Sequence, residues 1–171
     1  KHIRRFFPVM DPDPAKPGIS FAMQLALRAA GKDPAQPGWE IGGNTVPREP
    51  RQLMIGYSGP PGTVPTVSMN ALLAPDALSN PQVQALKGKV VIIAANNAGT
   101  SDRHFTPYSR GAGADQMAGG EIHANIVETI LSGRYPRTLP MWVEVLYVLA
   151  LLIIATHYFL RLHAGWGVAL A

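Results

Sequence analysis

No cysteine occurs among the 171 residues, and charged side chains make up only 15% of them. The first absence excludes a disulfide framework, a cysteine nucleophile and any thiolate metal site. It leaves the compartment open, because a cysteine-free chain suits oxidising and reducing surroundings alike. The second absence, beside 47% apolar residues, excludes a disordered chain, which needs the opposite balance. Internal repeats and low-complexity tracts are lacking too. Long uninterrupted elements should be few, since 17 glycines and 16 prolines punctuate the chain. The length suits one domain that can bury a real core.

One segment departs from that pattern. Met141 to Leu160 reads MWVEVLYVLALLIIATHYFL, interrupted only by Glu144, Thr156 and His157. A run of about 20 apolar residues is the length of a helix that crosses a bilayer core. Trp142 and Tyr158 stand near its two ends, where amphipathic rings favour the headgroup boundary, and Arg161 follows as a third interface candidate. Pro140 suits the first turn of a helix. A core helix in so small a domain would rarely be apolar on every face. The expectation is a transmembrane helix over 139–161, placed at the wrong end for a signal peptide. Positive charge does not orient it, because Arg134 and Arg137 precede it and Arg161 follows. Residues 162–171 read as a loop and the start of a second apolar segment, GWGVALA. The chain begins at Lys1 and stops within that segment, so both ends are expected to be cuts through a longer protein.

Residues 1–138 alternate helix and strand signals. Ser20–Ala30 carries an N-cap serine and good helix formers, with Gly31 placed to end it. Lys32–Pro50 reads as an irregular Pro/Gly-rich connection. Leu53–Tyr57 is a short strand candidate closed by the turn cluster Ser58–Gly62. Ser68–Leu73 makes one or two helical turns, and Asn80–Pro81 caps another. Lys89–Ala95 (KVVIIAA) is the strongest strand signal, a β-branched run of the kind covered on both faces. A loop over 96–120 leads to Glu121–Leu131, where Ile122, Ile126 and Ile130 form the stripe of an amphipathic helix ended by Gly133. The order implies a layered α/β domain with parallel pairing.

Chemical motifs fail on inspection. Gly59-Pro60-Pro61-Gly62-Thr63 starts like a phosphate-binding loop, but Val64-Pro65-Thr66 stands where lysine and a magnesium-holding hydroxyl are needed. Gly56-Tyr57-Ser58-Gly59-Pro60 hints at a nucleophile elbow, yet Pro60 replaces its last glycine. Asp102, His104, Glu121 and His123 have ligand chemistry without ligand spacing. The first two share a face only in an extended segment, and the last two diverge by roughly 200° on a helix. Glu121 then favours the positive end of its helix, while His123 packs locally. No catalytic, cofactor or metal residue is assigned, and no enzyme activity is expected. The pI near 9.6 rests on a Lys1–Arg5 group and scattered charges, without a nucleic-acid module. A membrane surface is the better partner for that basicity.

Several segments, in order, resemble the second type of CHASE domain, the extracytoplasmic sensory module of bacterial cyclases and kinases. They are Ile3-Arg4-Arg5-Phe6, Ser20-Phe21-Ala22, Ile55-Gly56-Tyr57 with Gly59-Pro60, and Leu86 through Ile93. Asp102, Thr106-Pro107, Gly120 through Asn125 and Leu131-Ser132-Gly133 complete the set, just before the apolar helix. The chain departs at Ala94-Ala95, where family members often carry glycine, and matches the C-terminal part of the domain with its following helix. The resemblance implies a signal-receiving domain over 1–138 in the periplasm, anchored in the bacterial inner membrane. Its ligand, and hence its binding site, stays unassigned. The other reading is an accessory subunit that docks onto a larger membrane assembly through protein partners in the membrane or periplasm.

Overall fold

The computed structural model describes residues 2–11, 13, 15–16, 18–97, 99, 101–110, 115–137 and 139–161. Lys1 of the basic group and the apolar stretch expected over 162–171 lie outside them. The chain divides into two compact units, Lys1–Pro136 and Arg137–Ala171.

In the first unit the chemistry of the caps fixes the helices. Ser20 accepts the Met23 N–H and starts α1 at Phe21–Ala29, and Gly31, with φ of 63°, turns the chain away after it. The Ser68 and Asn80 side chains cap two short helices, α2 (Met69–Leu73) and α3 (Pro81–Gln84), as their sequence positions predict. The isoleucine stripe forms α4, Gly119–Ser132, ended by Gly133 in the left-handed region at φ 68°. Ile122, Ile126 and Ile130 pack against Ala22, Met23, Ala26 and Leu27 of α1. Trp39, Ile41, Val46, Val9, Ile55 and Met117 complete one hydrophobic core.

The strands are short. β1 (Arg5–Phe6) pairs with β6 (Leu53–Met54), β2 (Val9–Asp11) with β3 (Gly18–Ile19), and β7 (Arg103–His104) with β8 (Met117–Ala118). The longest pair, β4 (Gly38–Ile41) with β5 (Asn44–Pro47), sits inside the stretch read from sequence as irregular. Gly42 and Gly43, both at positive φ, make a two-residue hairpin turn there. Trp39, Ile41 and Val46 point inward, with the Trp39 indole N–H bonded to the Asp33 carbonyl. The buried Arg48 guanidinium lies over the indole and donates to the Pro34 and Asp13 carbonyls.

The mixed α/β class therefore holds, but two expectations about the sheet do not. Every pairing among the described residues is antiparallel, not parallel. Three of the four pairs join strands close in sequence, which short connections can only bring together antiparallel. The Lys89–Ala95 run forms no strand: among the described residues it has no ladder partner, and Ile93 is 77% exposed. High β-propensity does not make a strand where no neighbour supplies the hydrogen bonds.

The second unit contains α5, Met141–Arg161. It starts after Pro140, whose carbonyl accepts from the Val143 N–H. Its 19 residues from Met141 to Phe159 have a mean hydropathy of 1.8, and none of them is buried. The helix is thus long and apolar enough to cross a membrane. Trp142 and Tyr158 are about two-thirds exposed, and Arg161 closes its last turn.

Core and run should respond oppositely to truncation. Leu27→Ala or Ile130→Ala is expected to cost about 2–5 kcal/mol, read by urea unfolding of the detergent-solubilised chain. Ile93→Ala should stay within about 0.5 kcal/mol of the parent. An Ile93→Ala loss as large as the core losses would place the run in the core and contradict this fold.

Candidate functional site

Helix α4 carries two faces with different chemistry. Its isoleucines enter the core, and one face beside them is polar at a spacing of four: Glu121, Asn125 and Thr129. Residues four apart on a helix lie nearly above one another, so the three form a row. The segment 56–64, irregular up to Ser58 and then turning at 59–62, runs along that row in the opposite direction. Thr129 Oγ1 accepts the Gly56 N–H at 2.9 Å, and Asn125 Oδ1 accepts the Ser58 N–H at 2.9 Å. The Glu121 carboxylate accepts the Gly62 N–H at 2.8 Å and the Val64 N–H at 3.2 Å. Asn125 and Thr129 are 1% exposed, so the bonds these two make are shielded from water, while the Glu121–Gly62 bond is exposed. The row stands in for a neighbouring strand, satisfying backbone donors that a sheet would otherwise take.

That arrangement also decides the rejected motifs. The backbone donors of the Gly59–Gly62 turn that a phosphate would need, at Gly62 and Val64, are taken by a carboxylate. Thr63 Oγ1 bonds to the Pro60 carbonyl rather than facing a metal. Ser58 lies in the 56–64 segment rather than on a strand-to-helix elbow, and its N–H is bound to Asn125. Asp102 and His104 do share a face of an extended segment, with Oδ1 and Nε2 2.9 Å apart. His123 instead packs edge-on against Phe21 at 5.2 Å between ring centroids. Among the described residues no three His, Asp or Glu side chains converge as a metal set.

Close backbone approaches hold both ends of α4. A Cβ on Gly119 would strike the Asp102 carboxylate, and one on Gly120 would strike the Ala94 side chain. At the far end a Cβ on Gly133 would strike the Gly42 carbonyl oxygen. Asn44 Nδ2 ties the two chains there, donating to the Gly133 carbonyl at 2.9 Å and the Gly42 carbonyl at 3.1 Å. Gly56 lies on the other side, where a Cβ would sit 2.7 Å from the Arg134 carbonyl oxygen. The strap 133–136 leaving the domain is therefore held between the β4–β5 turn and the 56–64 segment.

An aromatic edge completes the site. Tyr57 and Tyr108 meet edge-to-face at 6.4 Å, and the Tyr57 hydroxyl donates to the Ile3 carbonyl. His2 and Phe105 lie beside each other at 6.0 Å, while the Ile3 N–H donates to the Phe105 carbonyl. Thr106 and Ser109 are buried and close a turn, with the Ser109 hydroxyl donating to the Asp115 carbonyl. Burial pushes the Tyr57 and Tyr135 phenols from 10.0 up to about 12. Sequence reasoning quoted Tyr57, Thr106 and Asn125 as motif letters but gave them no role. Only the spacing of Glu121, Asn125 and Thr129 signals the row in advance.

Removing one rung tests it. Thr129→Val keeps the shape but leaves the Gly56 N–H without its acceptor, a loss of about 1–3 kcal/mol in urea unfolding. Thr129→Ser should recover much of it. A neutral Thr129→Val would mean that the row carries no stability. Proton linkage gives a separate check. Between about pH 10 and 12 the unfolded chain releases phenol protons that folded Tyr57 and Tyr135 retain, so stability should fall as pH rises through that window. Phenolate absorbance should show late titration in the parent, and Tyr135→Phe should remove part of it. Titration of every tyrosine near pH 10 in the folded chain would contradict the burial.

No curated protein and no solved structure matches the chain. The CHASE2 domain family matches over residues 1–157, which takes in the core, the α4 row, the strap and most of α5. The order of segments that suggested the resemblance is thus carried by one continuous match, and the chain belongs to the CHASE2 domain family, whose members are extracytoplasmic sensory domains.

Proposed function

We propose that this chain is the signal-receiving part of a membrane-anchored sensor, binding rather than transforming what it detects. In this reading α5 spans the bacterial inner membrane, with Trp142, Tyr158 and Arg161 at its interfaces and residues 1–138 in the periplasm. The observation that carries it is the strap 133–136. It leaves a core helix, is gripped between two backbone approaches, and leads within a few residues to a helix apolar on every side. An apolar helix with no buried residue is stable in lipid, where its own backbone bonds are all satisfied. Ligand binding shifts such a device only through different affinity for two arrangements, and about 1.4 kcal/mol of difference gives a tenfold shift. The backbone approaches at Gly42, Gly56 and Gly133 transmit a change in the core because they leave no slack at the exit.

A second reading, an accessory subunit docked on a larger membrane assembly, is favoured by one observation. Residues 60–97 contribute no buried side chain.

The absence of cysteine gives a clean topology test. Leu78 is 88% exposed, so Leu78→Cys should react in intact cells with a maleimide that cannot cross the inner membrane. Reaction only after lysis would overturn the periplasmic assignment. The same protein purified in mild detergent separates the two readings: stoichiometric co-purifying subunits favour the accessory one, and their absence favours the sensor.

A further inference from the structure

Apolar residues lie on every side of α5, yet its few other side chains are not scattered. Positions 143, 147, 150, 154, 157 and 161 follow one another at alternate steps of four and three. That is the heptad spacing, which keeps side chains on one seam of a helix. In α5 the seam reads Val143, Tyr147, Ala150, Ile154, His157 and Arg161. It holds the helix's histidine, one of its two tyrosines and one of its two alanines, and Tyr158 stands beside it.

The opposite side, through Val145, Leu149, Leu152 and Phe159, is bulky and apolar, with Thr156 as its one hydroxyl. A threonine within a helix can donate to the carbonyl four residues back, so that hydroxyl needs no neighbour. The Tyr147 hydroxyl stands too far out on its ring for this. Among the described residues neither Tyr147 nor His157 has a side-chain hydrogen bond, and both side chains are exposed. Tyr147 comes six residues after Met141, about 9 Å along the axis and inside the apolar stretch. In hydrocarbon no water meets such groups, so a polar side chain there marks a face that turns towards protein.

The chemistry of the seam selects what it faces. A phenol and a neutral imidazole each carry a donor and an acceptor, so each can be satisfied by its equivalent across a two-fold axis. Copies of one chain enter the bilayer in the same direction, and parallel pairing sets Tyr147 and His157 each against the same residue of the second copy. A foreign helix would need hydrogen-bonding groups at both of these depths, whereas a second copy has them there by identity. Ala150, between Tyr147 and Ile154, lets the two backbones approach. Charge does not oppose the pairing. Glu144 lies roughly 100° round the helix from Val143, and the long stem of Arg161 carries its guanidinium out to the headgroups.

We propose that α5 pairs with α5 of a second copy, in parallel and with a left-handed crossing, through the seam from Val143 to Arg161. The pairing rests on the reading of α5 as a membrane span. It is independent of what the first unit detects.

The lack of cysteine supplies the probe. Single Ala150→Cys and Ile154→Cys variants of the full chain are oxidised in the membranes of the cells that express them. Both should give disulfide-linked dimers, because only seam positions bring two Cα atoms within about 7 Å. Leu149→Cys and Leu152→Cys, at nearly the same depth on the other side, should stay monomeric. Adding His157→Leu to Ala150→Cys should weaken dimerisation about threefold or more, and His157→Asn, which keeps a donor and an acceptor, should restore it. An alkaline carbonate wash separates the two readings. A chain released by the wash does not span the membrane, and the pairing falls with that reading. For a chain retained by the wash, three results overturn the pairing alone: no dimer at either seam position, equal dimers at Leu149 and Leu152, or a disulfide adduct with a protein of different mass.

Discussion

The bonds from the Glu121, Asn125 and Thr129 side chains to the 56–64 backbone are the constraint on which the rest of the domain depends. They come from one face of α4, while the adjacent face buries Ile122, Ile126 and Ile130. A helix that both fills the core and satisfies that segment fixes two layers at once. Buried amide and hydroxyl groups carry that burden well only when fully paired, and here they are. Asn125 donates to the Glu121 carbonyl and Thr129 to the Asn125 carbonyl, so the donors as well as the acceptors are used. The glycines at 119, 120, 56 and 133 follow from this. With α4 and the 56–64 segment fixed against each other, their neighbours approach too closely for a Cβ.

Much of this was legible from sequence wherever the cause is local. Ser20, Ser68 and Asn80 start helices because their side chains bond to N–H groups two or three residues on, a property that any short window contains. The isoleucine period announces α4, and the unbroken apolar run announces α5. Asp102 and His104 pair as residues two apart in an extended segment must. The rest depends on partners distant in sequence. Glu121, Asn125 and Thr129 show their spacing but not the segment they hold, which lies some 60 to 70 residues away. The hairpin at Gly38–Pro47 was hidden for another reason. Its Gly42-Gly43 turn was read as part of a glycine-rich connection, although two glycines between Ile41 and Asn44 are a hairpin signal in their own right.

The basic balance and the low charge also separate once the fold is in view. One buried guanidinium, Arg48, is structural, spent on carbonyls and an indole inside the domain. Others are exposed: Arg4 and Arg5 near one end of the first unit, Arg134 and Arg137 on either side of the passage to the second. Low overall charge, in turn, averages an ordinary polar domain with a helix that carries only Glu144 and Arg161. Composition therefore described neither part.

The Lys89–Ala95 run shows why propensity and topology part company. Val and Ile in sequence favour an extended backbone, and Ile92 and Ala94 approach Gly120 of α4 while Ile93 stays 77% exposed. Yet a strand is defined by its ladder, and most of its stabilisation comes from cross-strand contacts and burial rather than from backbone preference. Among the described residues the run therefore touches α4 without becoming a strand, because no neighbouring backbone supplies a ladder.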